Sequence, residues 1–173
     1  ARGEWSRAIA DFDRAIEIDH RHLQAHGSRA LAWMEMGEVA KALADFDRAI
    51  EIDPRSAVVH AHRGIARKRR GNLAGAIEDF ERAIEIDPRH ERSFYQRGLL
   101  RRMQGDFAGA VTDFDRVIDL GGRYANAYKN QFYSFLAFSV AFGLCFVYNF
   151  GLRSCWSLYG HYFGRSTIGY NGH

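Results

Sequence analysis

Residues 11–19 read DFDRAIEID, and residues 45–53 repeat DFDRAIEID letter for letter. Residues 79–87 read DFERAIEID, and Asp113 opens the run DFDRVIDL. Each copy starts 34 residues after the last. A fixed period of that length is the mark of stacked supersecondary units rather than of one irregular core.

Around each copy, Ala8, Ile9, Phe12, Ala15 and Ile16 recur as Ala42, Leu43, Phe46, Ala49 and Ile50, then again from Ala76 and from Ala110. These spacings place the apolar residues on one helical face. Asp11, Asp13, Arg14, Glu17 and their copies fall between the stripe positions, which predicts a solvated face with acid and base in reach of each other. Gly3, Gly37, Gly71 and Gly105 precede the stripes and are predicted to turn the chain into each helix. Asp53-Pro54 and Asp87-Pro88 close the second and third segments, because the residue before proline is driven out of helical geometry. Residues 22–36, 56–70 and 90–104 supply the more cationic partner helices. A single helix pair cannot bury its stripe alone, so the pairs must stack. Seven helices over residues 3–120 are expected, with Phe12, Phe46, Phe80 and Phe114 buried.

Ala42, Phe46 and Pro54, and again Ala76, Phe80 and Pro88, match the second helix of the tetratricopeptide repeat, and the chain resembles that family over about residues 1–130. The first and fourth copies keep Ala8 with Phe12 and Ala110 with Phe114, but carry His20 and Gly122 at the family's proline position. The resemblance implies an all-α fold: an α-solenoid of antiparallel helix pairs wound into a right-handed superhelix, followed by a C-terminal hydrophobic helix. Its expected divisions are a truncated first unit (second helix only) over 1–22, full units over 23–56, 57–90 and 91–124, a long hydrophobic helix over 125–152 that begins as a partial fifth unit, and a Gly- and aromatic-rich tail over 153–173. Arg29, Arg63 and Arg97 stand where the family has Leu, and Trp33, Arg67 and Arg101 fill its Tyr position. The small neighbour is kept as Ala30, Gly64 and Gly98. The arginines are expected to lay their stems on the core and pair their heads with the acidic second helices.

The resemblance also implies a function, holding another protein in a concave groove lined by the first helices. The matching positions are Gly27, Leu31 and Met34, then Ala61, Ile65 and Lys68, then Tyr95, Leu99 and Arg102. Of these, Leu31, Met34, Ile65, Lys68, Tyr95, Leu99 and Arg102 form the expected binding set, with Tyr95 as anchor. An apolar floor with cations at one end suits an amphipathic or acidic peptide or helix. A purely structural account of Lys68, Arg69, Arg70, Arg101 and Arg102 is that positive charge ends helices against the macrodipole. Some family members clamp a C-terminal carboxylate with Lys and Asn. Gly27, Leu31, Ala61, Ile65, Tyr95 and Leu99 lack that chemistry and only Lys129 has it, so this mode is not expected.

Other classes are disfavoured. Lys+Arg number 24 against 21 Asp+Glu, a formal net charge of +3, and the acid on adjoining helices opposes phosphate, so nucleic acid is not an expected partner. No phosphate loop, zinc-protease motif or nucleophile elbow occurs, and an acid pair repeated in every copy is not a catalytic dyad, so no catalytic residue is expected. His20, His22 and His26, or His60 with His62, lack carboxylate or thiolate at ligand spacing, and neither metal nor cofactor is expected. His26 and His60 share the register of Phe94 and Tyr128, which predicts ring packing at a helix junction. Cys145 and Cys155 form no C-x-x-C pair.

Every acidic residue lies at or before Asp119, and no charged side chain occurs between Asn130 and Leu152. At about 1.5 Å per residue a helix of that length spans roughly one bilayer core. Phe132, Phe135, Phe138, Phe142, Phe146 and Phe150 crowd one face, with Leu136, Val140, Leu144 and Val147 opposite. A single membrane-spanning helix with cytoplasmic repeats is one expectation. A soluble cytoplasmic chain is the alternative, with this segment as the cap of the helix stack or as an out-of-frame extension. The opening residues hold no Met and no signal-like run, which reads as a fragment, so a regulatory array detached from a catalytic domain is the rival function.

Overall fold

The computed structural model describes residues 2–121 of the chain. Seven helices make up the described residues: α1 (Arg2–Ile18), α2 (Leu23–Met36), α3 (Val39–Ile52), α4 (Ala57–Arg69), α5 (Leu73–Ile86), α6 (Glu91–Met103) and α7 (Phe107–Leu120). The hydrophobic helix expected over 125–152 and the tail over 153–173 lie outside the described residues. No described helix is long and apolar enough to cross a membrane.

Short turns fold each helix back on the one before. Gly37, Gly71 and Gly105 adopt φ near +84°, a left-handed backbone that favours glycine, whereas Gly3 lies inside α1 rather than in a turn. Two of the following helices begin on a side-chain cap: Asn72 Oδ1 accepts from the Gly75 N–H at 3.0 Å, and Asp106 Oδ1 accepts from Gly109 at 2.9 Å. The turns after α1, α3 and α5 share one device, in which the backbone N–H of Arg21, Arg55 and Arg89 donates to Asp19, Asp53 and Asp87. That Asp survives at the first turn, where His20 replaces proline, so the turn keeps its form.

The core repeats with the period. Phe46, Phe80 and Phe114 are fully buried, each over a small residue on the preceding helix. A Cβ at Gly98 would stand 2.6 Å from Phe114 Cε1, and at Gly64 it would stand 2.8 Å from Phe80 Cε1. Neither separation is attainable, so the phenyl rings dictate the glycines. Phe12 corrects the expectation: it is only half-buried, because among the described residues no first helix precedes α1 to cover it.

The larger correction concerns the acids. Asp45, Asp79 and Asp113 are 6 %, 2 % and 1 % exposed, not solvated. Each is closed by an arginine sixteen residues earlier on the first helix of its own pair. Arg29 Nε and Nη2 donate to Asp45 at 2.8 and 2.5 Å. Arg63 does the same to Asp79, with Nη2 to Oδ1 at 2.6 Å, and Arg97 to Asp113 at 2.6 Å. Arg67 and Arg101 add a second guanidinium, each 3.0 Å from the same carboxylates. The other Nη of each arginine reaches back one unit: Arg29 to Asp13 at 2.6 Å, Arg63 to Asp47 at 2.8 Å and Arg97 to Glu81 at 3.6 Å. Arg29, Arg63 and Arg97 therefore each rivet two second helices through the first helix between them, as the sequence led one to expect for the arginines but not for the acids. Asp11, in the same register, stays exposed: among the described residues no first helix precedes α1, and Asp11 pairs only with Arg14 of its own helix, at 3.7 Å.

Bidentate geometry outweighs desolvation here. Hydrogen bonding to Asp45 raises the Arg29 pKa against the opposing effect of burial. Burial would lower that of Arg63, but Asp79 and Asp47 raise it overall. Burial would raise the Asp79 carboxyl, yet the His60 ring with Arg63 and Arg67 holds it below its ordinary value. His26 and His60 fill the ring position at the helix junction, with Nε2 3.1 Å from the backbone oxygens of His20 and Pro54.

Candidate functional site

Consecutive first helices approach one another closely, α2 against α4 and α4 against α6, whereas among the described residues the second helices show no such close backbone approach. The stack is thus closed on the side of α2, α4 and α6 and splayed on the other, which makes that closed side the inner face. Residues at i, i+3, i+7 and i+10 share a face of a helix. The face carries 24, 27, 31 and 34 on α2; 58, 61, 65 and 68 on α4; and 92, 95, 99 and 102 on α6.

Six of the seven expected binding residues stand on this face at least partly open. Leu31 is 41 % exposed and Arg102 is exposed, while Ile65, Lys68, Tyr95 and Leu99 are half-buried. Met34 is a correction. It is buried in the core cluster with Ala30, Phe46 and Val59, because that turn of α2 faces α3 and α4, and it supports the floor from beneath. Ala61 is likewise buried, and Ile65 packs on the cores of two successive units. The Tyr95 ring lies tilted on Phe114 with centroids 6.3 Å apart, so the expected anchor is braced by the core phenylalanine of its own unit.

The cations of this face differ in kind. Lys68 Nζ donates to Gln96 Oε1 on α6, the next first helix, at 2.9 Å, and burial lowers its pKa. Arg69 Nη1 donates to the Met34 carbonyl at 3.0 Å, closing the end of α2. The spacing of apolar stripes did not single out Arg92, His62 or Gln96. Arg92 Nη1 lies 3.1 Å from His62 Nε2, and the His62 ring stacks on Phe46 at a centroid distance of 6.1 Å. Burial first, then Arg92 and His90, push His62 down to about 4, so the ring is neutral at ordinary pH. Arginine only donates, so Nε2 is the acceptor and the ring proton sits on Nδ1. His90 is lowered as well, by burial against a raising effect of Asp87 and a further lowering one of Arg92.

A separate depression of about 390 Å³ lies away from this face, between α6 and α7, lined by Phe94, Arg97, Arg101, Thr112, Asp113, Asp115, Arg116 and Asp119. Arg97, Arg101 and Asp113 are already engaged with one another there. Among the described residues no group of three or more His, Cys, Asp or Glu is placed to hold a metal ion.

Known proteins bear on this geometry. The tetratricopeptide repeat family matches residues 23–56, 57–90 and 92–120. No curated protein matches the sequence. Among solved structures, a MamA RS-1 ArsTM double mutant is similar with a TM-score of 0.64 at 21 % identity, over 69 % of this chain and 67 % of that one. The first repeat domain of Spaghetti (RPAP3), bound to the HSP90 peptide SRMEEVD, is similar with a TM-score of 0.60 at 20 % identity, over 69 % of this chain and 96 % of that one. The Sgt2 repeat domain from Aspergillus fumigatus gives 0.55 at 27 % identity, over 58 % and 67 %. The chain thus spans about two thirds of the MamA and Sgt2 chains, and the likenesses establish an α-solenoid.

Proposed function

The chain belongs to the tetratricopeptide repeat family, and from that premise we propose that this protein-interaction scaffold holds a partner peptide or helix on the inner face of α2, α4 and α6. The observation that carries this is the row formed by Leu31, Ile65, Tyr95 and Leu99, apolar side chains left at least partly open across successive helices that are otherwise closed by ion pairs. Lys68 and Arg102 flank the row and set a preference for acid. The Spaghetti domain, of the same fold, is bound to a peptide with three acidic residues, which supports a peptide as the partner class. Tyr95 is the expected anchor, since a braced ring loses little freedom on binding. Tyr95→Ala combined with Leu99→Ala should abolish binding of a peptide selected against the wild-type chain. Unchanged affinity in a variant that still folds places the partner elsewhere.

The uncharged run between Asn130 and Leu152 supports membrane attachment as a second element of this reading. Six Phe, three Leu and two Val each favour insertion by about 0.3–0.6 kcal/mol near the bilayer centre. Fractionation of the full chain beside a version ending at Lys129 tests it: the full chain should sediment with membranes and the shorter one should not. Recovery of both as soluble monomers removes the anchor.

A further inference from the structure

The helix pairs present two rows of turns at opposite edges of the stack, because α2, α4 and α6 run one way and the helices between them run the other. The turns after α1, α3 and α5 repeat and balance: each carries one aspartate and one arginine, Asp19 with Arg21, Asp53 with Arg55 and Asp87 with Arg89. The turns after α4 and α6 do neither. Arg69 and Arg70 stand at the end of α4, Arg102 and Met103 at the end of α6, and Phe107 opens α7, all five exposed. Met103 is 66 % exposed and Phe107 65 %, whereas Val39 and Leu73, in the register of Phe107, are half-buried against the core clusters.

Positive charge at this edge is left over. Arg70 and Arg102 make no ion pair among the described residues, and Arg69 gives a donor to the Met34 carbonyl, an uncharged partner. Asp106, the acid of the turn after α6, is taken up within the chain: Oδ1 accepts from the Gly109 N–H, and Oδ2 lies 3.8 Å from Arg101 Nε. Glu35 and Glu38 place acid on the turn after α2, with Glu38 3.6 Å from Lys41, which confines the cationic stretch to the two later turns. Opposition to the macrodipole accounts for cations at helix ends, but not for two large apolar side chains exposed among them.

We propose that the edge formed by Arg69, Arg70, Arg102, Met103 and Phe107 docks on an anionic lipid surface, with the guanidinium groups against the headgroups and the Met and Phe side chains entering the headgroup boundary. Attachment to a bilayer interface grows with buried apolar area and with attraction to anionic lipid, so it rewards both kinds of side chain at this edge. A nucleic-acid backbone rewards the cations alone. The contact is separate from the uncharged run between Asn130 and Leu152, because a run without charge does not distinguish an anionic bilayer from a neutral one. Arg102 lies where this edge meets the inner face and belongs to both.

The test is hydrogen–deuterium exchange of the full chain on phosphatidylcholine vesicles that do or do not contain phosphatidylserine. Phosphatidylserine should slow exchange at residues 69–73 and 102–108 and leave the opposite turns at 19–22, 53–56 and 87–90 unchanged. Each arginine near an anionic surface contributes about fivefold, so Arg70→Gln with Arg102→Gln should weaken the added affinity for phosphatidylserine vesicles about twentyfold. Arg70→Lys with Arg102→Lys should keep it, since a lipid surface reads charge rather than the fork of the guanidinium. Met103→Gln with Phe107→Gln should also weaken binding, with the salt dependence unchanged. These side chains are exposed, so urea midpoints should hold in every variant, which separates lost docking from a lost fold. Exchange at these turns that is the same on both kinds of vesicle, or a preference for phosphatidylserine that survives Arg70→Gln with Arg102→Gln, would overturn the proposal. Loss in the arginine variant without loss in Met103→Gln with Phe107→Gln would overturn lipid as the occupant and leave an edge that binds any polyanion.

Discussion

Arg63 and Arg92 sit on successive first helices and make opposite uses of the same side chain. Arg63 lies in the junction between helices, where it meets Asp79 through two donors and Asp47 through a third. Arg92 lies on the inner face, where it meets a neutral ring and has a donor left over. The junction is electrostatically closed and the inner face is open. Buried charges whose partners are all supplied by the chain fix the stack, and the face that carries Arg92 is the one proposed to bind.

The sharpest way to break that contrast is to open a junction. Asp79→Ala leaves Arg63 and Arg67 half-buried without their carboxylate and should cost about 3–5 kcal/mol in urea unfolding. Adding Arg63→Leu to that variant should recover most of the loss, since an apolar pair in a packed junction competes well with an ion pair. If the single variant unfolds like the wild type, the junction charges do not fix the stack.

A smaller effect is expected from pH. His62 is lowered from 6.5 to about 4 by folding, so between those values the unfolded chain takes up a proton that the folded chain refuses. Its contribution is complete above 6.5 and is lost as pH falls toward 4. Asp79 acts in a lower window: its depressed pKa gives stability that is complete above 3.8 and lost below it. Urea midpoints measured across both windows should decline in two stages, and His62→Phe should shrink the upper one to the part that His90 contributes.

Smaller still is the cost of removing the inner-face cations. Lys68→Ala and Arg102→Ala should change stability by less than about 0.5 kcal/mol, because neither side chain closes a buried carboxylate. Both should weaken binding of an acidic peptide, and more at low ionic strength than at high.

Much of this arrangement was legible in the sequence, and what was not failed for identifiable reasons. The period, the helix ends at Asp53-Pro54 and Asp87-Pro88, and the pairing of Arg29, Arg63 and Arg97 with acids all follow from local chemistry repeated at fixed spacing. Burial of Asp45, Asp79 and Asp113 does not, because a periodicity of apolar residues scores a carboxylate as solvent-facing. Only the guanidinium sixteen residues earlier, on another helix, makes the core position tolerable. Met34 looked like groove because its register on α2 matches Lys68 and Arg102, yet a flexible apolar side chain at that site turns into the core. The contact of Arg92 with His62 was not legible because it spans 30 residues and does not repeat: the equivalent of Arg92 is Gln24 in one unit and Val58 in the next. Repetition reveals what builds the solenoid, whereas contacts that depart from it are not legible from the period.

The most direct test of that division is a nuclear magnetic resonance titration of the full chain with a peptide selected against it. Amide shifts should concentrate on α2, α4 and α6 around Leu31, Ile65, Arg92, Tyr95 and Leu99, with α3, α5 and the junction residues Arg63 and Asp79 unchanged. Shifts centred on α3, α5 and α7 instead would contradict the assignment of the inner face as the binding surface.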